Sequence, residues 1–269
     1  MRTMMTTPNT TNLTTTTPTT TTKAFASGLA QALKDRVNAL ADTSRPEGPA
    51  FLAATAGTEI AKATGFGALE KVAKPLIVPA ALTLALRDGR LTPVETALLS
   101  ATGAAYTAGD VILMLGGGHA SRSKRRLVAG AAAFCIGHLA LGGLMLRSGL
   151  RFKPVQSAVH GVVAGAAGAI MLAEDRGNAP LAAYGGLLAA LSALGTSVDR
   201  SHGPAASVLA VAGPLFLISD ALILVRRKAE AGSVTARALD VGVIDTYASA
   251  AMLMLTGTAA AARHAGRKA

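Results

Sequence analysis

Tryptophan is absent from this chain of 269 residues, and aromatic residues of every kind make up 3% of it. The interfacial aromatic belt that marks the ends of many membrane segments is therefore missing, and segment ends must be read from other signals. Cysteine occurs once, at Cys135, inside an apolar run. An internal disulfide is excluded, and the thiol reads as inert packing. Charged residues are scarce at 15%, against 51% hydrophobic residues and a mean hydropathy of +0.43. That balance is too apolar for an ordinary soluble domain and indicates a membrane protein. Three catalytic signatures are also lacking. There is no GxSxG elbow, no phosphate-cradling glycine loop and no HExxH pair; His119, His160, His202 and His264 are scattered without ligand spacing. Serine lipases, nucleotide-driven enzymes and metal hydrolases thus find no support, and neither a metal nor a cofactor is expected.

Alanine and glycine take the place of the aromatics, as expected where helices pack closely through small residues. The net charge is +11, with a pI of about 10.4. The basic residues fall largely in short tracts between apolar runs, such as SRSKRR (121–126) and RRK (226–228). That placement fits loops flanking a bilayer better than a nucleic-acid surface, and no nucleic-acid partner is expected. Residues 1–22 are threonine-rich and too polar to offset chain entropy by burial, so a disordered tail is expected. In 23–47, Phe25, Leu29, Leu33, Val37 and Leu40 recur at helical spacing. This is either an amphipathic helix on the membrane surface or a solvated helical linker, broken by SRPEGP (44–49).

The remainder, 48–264, contains eight apolar segments: 50–64, 74–87, 92–115, 127–147, 154–173, 180–197, 204–225 and 240–262, followed by a basic tail at 265–269. They are too long and too little alternating for barrel strands, and hydrocarbon offers backbone groups no outside partner. The expected fold is an all-α polytopic membrane protein with about eight transmembrane helices. The first segment is the weakest, because it holds Glu59 and Lys62.

Ionisable residues inside such segments are costly and suggest function. Asp110 lies in AGDVILML and Asp220 in ISDALILV. Lys74 opens KPLIVPAALTLAL; Glu59 closes the first segment; Asp245 and Tyr247 begin the last. Because adjacent spans run in opposite directions, all six fall toward one face, with the two aspartates on the order of 10 Å deep. The basic tracts 121–126 and 226–228 lie on that face, which favours the cytoplasmic side and leaves both termini outside. GDVILML (109–115) and SDALILV (219–225) lie 110 positions apart, each in the third of four spans. Duplicated four-helix halves would bring the aspartates to equal depth across a pseudo-two-fold axis.

KPLIVPA (74–80), AGDVILML (108–115), GHLALGGLML (137–146), GPLFLISDALILV (213–225) and DTYASAAMLML (245–255) together resemble the lysoplasmalogenase family, the YhhN-like membrane hydrolases. The resemblance implies an eight-helix membrane fold, location in the cell membrane and a lysophospholipid substrate. It also implies cleavage of a vinyl ether bond to a fatty aldehyde and a glycerophospho-alcohol. It marks Lys74, Asp110, His138, Asp220 and Tyr247 as family-motif positions.

Vinyl ethers open by protonation of the outer alkene carbon, which requires a protonated acid and a group to stabilise the cation. Two carboxyls in a dry pocket suit that task. Asp110 and Asp220 are therefore the expected catalytic pair, with acid and base unassigned. Lys74, His138, Tyr247, Asp245 and Glu59 are candidates for contacting substrate. Two other readings stand beside this one: a proton-coupled transporter of a small molecule or lipid, and a membrane scaffold in which the aspartates pair with Lys74 for packing.

Overall fold

The computed structural model describes residues 19–87, 89–115 and 124–268. Among these there are nine α-helices and no strands: α1 (Thr19–Ala41), α2 (Glu47–Thr64), α3 (Gly67–Leu86), α4 (Pro93–Met114), α5 (Lys124–Arg147), α6 (Pro154–Glu174), α7 (Ala179–Thr196), α8 (Leu209–Arg226) and α9 (Val234–Gly266). Each of the eight apolar segments corresponds to one of α2–α9. Among the described residues six stretches, those containing α4–α9, are long and apolar enough to cross a membrane, against the eight or so expected; α2 and α3 are not among them.

Several boundaries differ from the sequence expectation. The threonine-rich tail was expected to run to residue 22, but Thr19 already starts α1; residues 1–18 lie outside the described residues, as do 116–123, which include the first half of the basic tract 121–126. The apolar stripe of α1 faces the bundle. Phe25, Leu29, Leu33 and Leu40 pack against the protein core, while Val37 is exposed. Arg36 fixes α1 to the bundle by donating to Thr256 Oγ1 at 3.0 Å. α3 begins seven residues before Lys74 and contains Pro75 and Pro79. The charged Glu70 and Lys71 hid its first two turns from an apolarity reading; the prolines lie in the run read as apolar, where neighbouring helices can re-satisfy backbone groups that proline frees. The expected basic tail is partly helix, since α9 runs through Gly266.

α9 is the central helix. It packs on α2, α3, α4, α5 and α8, and from Ala250 to Ala262 every residue is buried. A helix apolar all round and rich in alanine can accept neighbours on every side. Its start is capped by Ser233, and α4 starts with a capping box between Thr92 and Glu95.

The helix ends sort into two sets. At one end, here the near end, Lys62 pairs with Glu70, Lys124 with Asp175, Arg226 with Asp240 and Lys228 with Glu174. At the far end, Arg87 pairs with Glu47 and Lys153 with Asp199. The turns after α2, α4, α6 and α8 thus share the near end, as strict up-and-down alternation of α2–α9 requires.

Candidate active site

A cavity of about 220 Å³ lies in the near half of the bundle. Its polar wall consists of Lys74 from α3, Asp110 from α4, Tyr184 from α7, Ser219 and Asp220 from α8, and Tyr247 from α9. The rest of the lining is apolar. Asp110, Asp220, Lys74 and Tyr247, four of the seven residues singled out in the sequence, therefore meet on one cavity.

The two aspartates have different company. Asp110 is 3% exposed; Lys74 Nζ stands 3.5 Å from Oδ1, and the Tyr247 hydroxyl donates to Oδ2 at 2.6 Å. A cation and a phenol on separate oxygens supply the opposite charge and hydrogen bonding that a buried carboxylate requires. Asp220 is partly buried. The Tyr184 hydroxyl faces it, and among the described residues its Oδ2 is buried without a hydrogen-bond partner. Neither of Asp110's bonds goes to Asp220.

Lys74 lies about 10 Å along α3 from its start, at 1.5 Å per residue. It was expected at a span start, where a lysine reaches water. It lies two turns inside, and its ammonium turns inward to Asp110, a pairing the sequence reading allowed.

His138 does not line the cavity. It is 1% exposed and lies behind the wall, its ring stacked on Tyr184 at 5.7 Å between centroids and 17° between planes. Its Nδ1 shares a 2.6 Å hydrogen bond with the Tyr106 hydroxyl, and among the described residues Nε2 is buried without a partner. Phe134 and Phe216 complete this layer and also face the cavity. The layer depends on two glycines. A Cβ on Gly137 would stand 2.5 Å from the Tyr106 ring, and one on Gly109 would stand 2.7 Å from Phe134.

Asp245 and Glu59 do not reach the cavity either. Asp245 is two residues from Tyr247, so on a helix the two point to different sides, and Asp245 is exposed. Glu59 is half-buried on α2 and faces Asp245 across the α2–α9 contact.

Sequence reasoning missed Tyr184 and Tyr106. Composition held a usable signal: the chain has three tyrosines, and all three converge here. Numbering held a second. Lys74 and Tyr184 are 110 positions apart, as are Asp110 and Asp220, and each of the former faces the aspartate of its own half. Among the described residues, no three His, Cys, Asp or Glu side chains gather in a way that could hold a metal ion.

These features define a helical multi-pass membrane protein with an acidic cavity near one end. The family model of the YhhN family matches residues 69–258, and the chain belongs to that family. The match spans α3–α8, most of α9 and every polar residue of the cavity wall. No curated protein and no solved structure matches the chain.

Proposed function

We propose that this chain is a lysoplasmalogenase-type hydrolase of the cell membrane, with α2–α9 as eight spans built from two related four-helix halves. It cleaves the vinyl ether bond of a lysophospholipid with Asp110 and Asp220 as its acidic pair. The observation that carries the proposal is the unequal environment of two aspartates on one greasy cavity.

Lys74 and Tyr247 are suited to holding Asp110 ionised. Asp220 has a neutral tyrosine where Asp110 has an ammonium, and one of its oxygens has no partner, so it is the group that carries the proton. In this scheme Asp220 gives its proton to the outer alkene carbon. The inner carbon becomes an oxocarbenium centre, whose positive charge the Asp110 carboxylate stabilises. Water adds to that carbon and passes one proton to a carboxylate of the pair. The resulting hemiacetal collapses, its hydroxyl proton moving to the departing glycerol oxygen. The products are a fatty aldehyde and a glycerophospho-alcohol, with one water consumed. No cofactor takes part.

Support for duplicated halves comes from packing. α3 packs on α9 as α7 packs on α5, and α5 and α9 begin 110 positions apart. Transport is the weaker reading because the cavity does not continue through the bundle. Beyond Phe216 and Leu188 on its wall lie Leu141, Leu144, Leu191, Leu194 and Leu209, all fully or almost fully buried.

The test is to incubate detergent-purified protein with lysoplasmenyl lipid and the matched lysoacyl lipid and to quantify aldehyde and fatty acid. Aldehyde from the first and no fatty acid from the second is expected. Release of fatty acid alone would make the chain an esterase, and undiminished turnover by Asp220→Asn would remove the acid from the mechanism.

A further inference from the structure

The cavity is walled on one side by two helices that do not pack closely on each other. α6 presents Val163, Ala167 and Gly168 to it, and α8 presents Leu217, Ala221 and Leu224. α6 packs chiefly on α7 and has no buried residue along its whole length. The wall is open here: Val163 is 52% exposed although it lines the cavity, and Ala167 and Ala221 are exposed as well. At the near end the two helices are joined by the Lys228–Glu174 ion pair. On the other side of α6, Leu127, Ala131, Leu181 and Met171 pack together and close the gap toward α5.

We propose that the gap between α6 and α8 is a lateral slot, through which the hydrocarbon tail of a single-chain amphiphile runs out into the bilayer while its polar end stays at Lys74, Asp110 and Asp220. This rests on the lysolipid reading of the site above and adds how the ligand enters and what the site measures. Volume is the first argument. Taking a methylene to be about the size of a water at ~30 Å³, the cavity of about 220 Å³ holds roughly seven. A tail of about sixteen carbons needs about twice that space and has to leave the cavity. Chemistry is the second. Among the described residues this open wall is apolar on both lips, so the emerging tail passes from a greasy cavity to lipid without crossing a polar surface. The site therefore reads the polar end and the first several carbons, and leaves longer tails unmeasured.

Gly185 makes this testable. It lines the cavity, and a Cβ built there meets nothing within 4 Å. Its neighbour Gly186 is equally free of contacts but is exposed and off the cavity wall. A leucine fits either position on α7, yet only the one at 185 projects into the tail's path. The probe is a saturated 1-O-alkyl lysophospholipid, which acid cannot open, so binding is read independently of hydrolysis. Ligand-induced thermal stabilisation in detergent is followed at defined mole fractions of probe. Gly185→Leu should raise the mole fraction needed for half-maximal stabilisation at least ten-fold, and Gly186→Leu should change it less than two-fold. For the wild-type chain, binding should strengthen up to about eight carbons and then stay within about three-fold to eighteen. Affinity falling steeply beyond eight carbons would show a blind pocket and overturn the proposal, as would equal behaviour of the two leucine variants or no stabilisation by any probe. If the probe binds as described while lysoplasmenyl lipid gives no aldehyde, the slot stands and the hydrolase reading falls.

Discussion

In the first half of the bundle, α2 turns Phe51, Ala54, Thr58 and Ala61 inward and packs on α9 as well as on α3. In the second half, α6 buries nothing and packs chiefly on α7. The inner helices differ as well, though by one functional group. α3 places an ammonium beside its aspartate where α7 places a phenol. The two sets of four helices, α2–α5 and α6–α9, thus differ at their outer helix and at one inner side chain. The first difference seals one flank of the molecule and opens the other to lipid. The second gives the two carboxyls unequal neighbours, an inequality that the proposed vinyl ether mechanism uses.

The comparison breaks most severely if either carboxyl is neutralised permanently. Asp220→Asn removes the proton donor and Asp110→Asn removes the anion. General acid catalysis contributes about 10²–10⁴-fold, so turnover should fall by about 10³-fold in each, with the purified yield unchanged. Next is the difference between Lys74 and Tyr184. Lys74→Met leaves Asp110 buried beside one remaining donor, and kcat should fall by about 10²-fold. Tyr184→Phe removes a neutral hydroxyl and should cost about ten-fold. Equal losses would mean that the two halves do the same work.

A smaller effect concerns the layer behind the wall. Gly137→Ala pushes a methyl group into the Tyr106 ring. Overpacking of this kind costs about 1–3 kcal/mol, so the melting temperature in detergent should fall, with KM changing less than kcat as Tyr184 loses its support. The smallest effect belongs to the near-end ion pairs. The Lys124 ammonium and the Gly177 backbone N–H hold the Asp175 carboxyl below the usual carboxylate range. A lowered carboxylate adds stability above its ordinary value of about 3.9 and loses it as pH falls through the lowered one. Both partners are exposed, so Lys124→Ala should shift melting only slightly at pH 7 and not at all in strongly acidic buffer.

Much of this architecture is legible in the chain. Eight apolar runs became eight helices, six of them long and apolar enough to cross a membrane, because apolar stretches of Ala, Leu, Val and Gly have few other folded outcomes in hydrocarbon. Their ends were harder to read. Glu70 and Lys71 lower the apolarity of α3 without stopping its helix, and Thr235, Arg237 and Asp240 do the same for α9. Lys74 consequently looked like an end residue when it lies two turns inside. Asp110 and Asp220 stood out because a carboxylate among Val, Ile and Leu is costly in a membrane segment. Tyr184, in AAYGGLL, did not, because a tyrosine in an apolar segment is unremarkable one residue at a time. Asp245 and Glu59 lie off the cavity for a geometric reason. Nearness in sequence to Tyr247, or to the same end of the bundle, does not set the side of a helix from which a side chain points. His138 was found as a polar intruder, but only packing shows that Tyr184 stands between it and the cavity.

The central claim is that Asp220 delivers a solvent-exchangeable proton to carbon while Asp110 stays ionised. It is tested most directly by running the reaction of the purified protein with lysoplasmenyl lipid in heavy water and weighing the aldehyde. The account predicts an aldehyde carrying one deuterium on the carbon next to its carbonyl. An aldehyde free of deuterium, or fatty acid in its place, would contradict it.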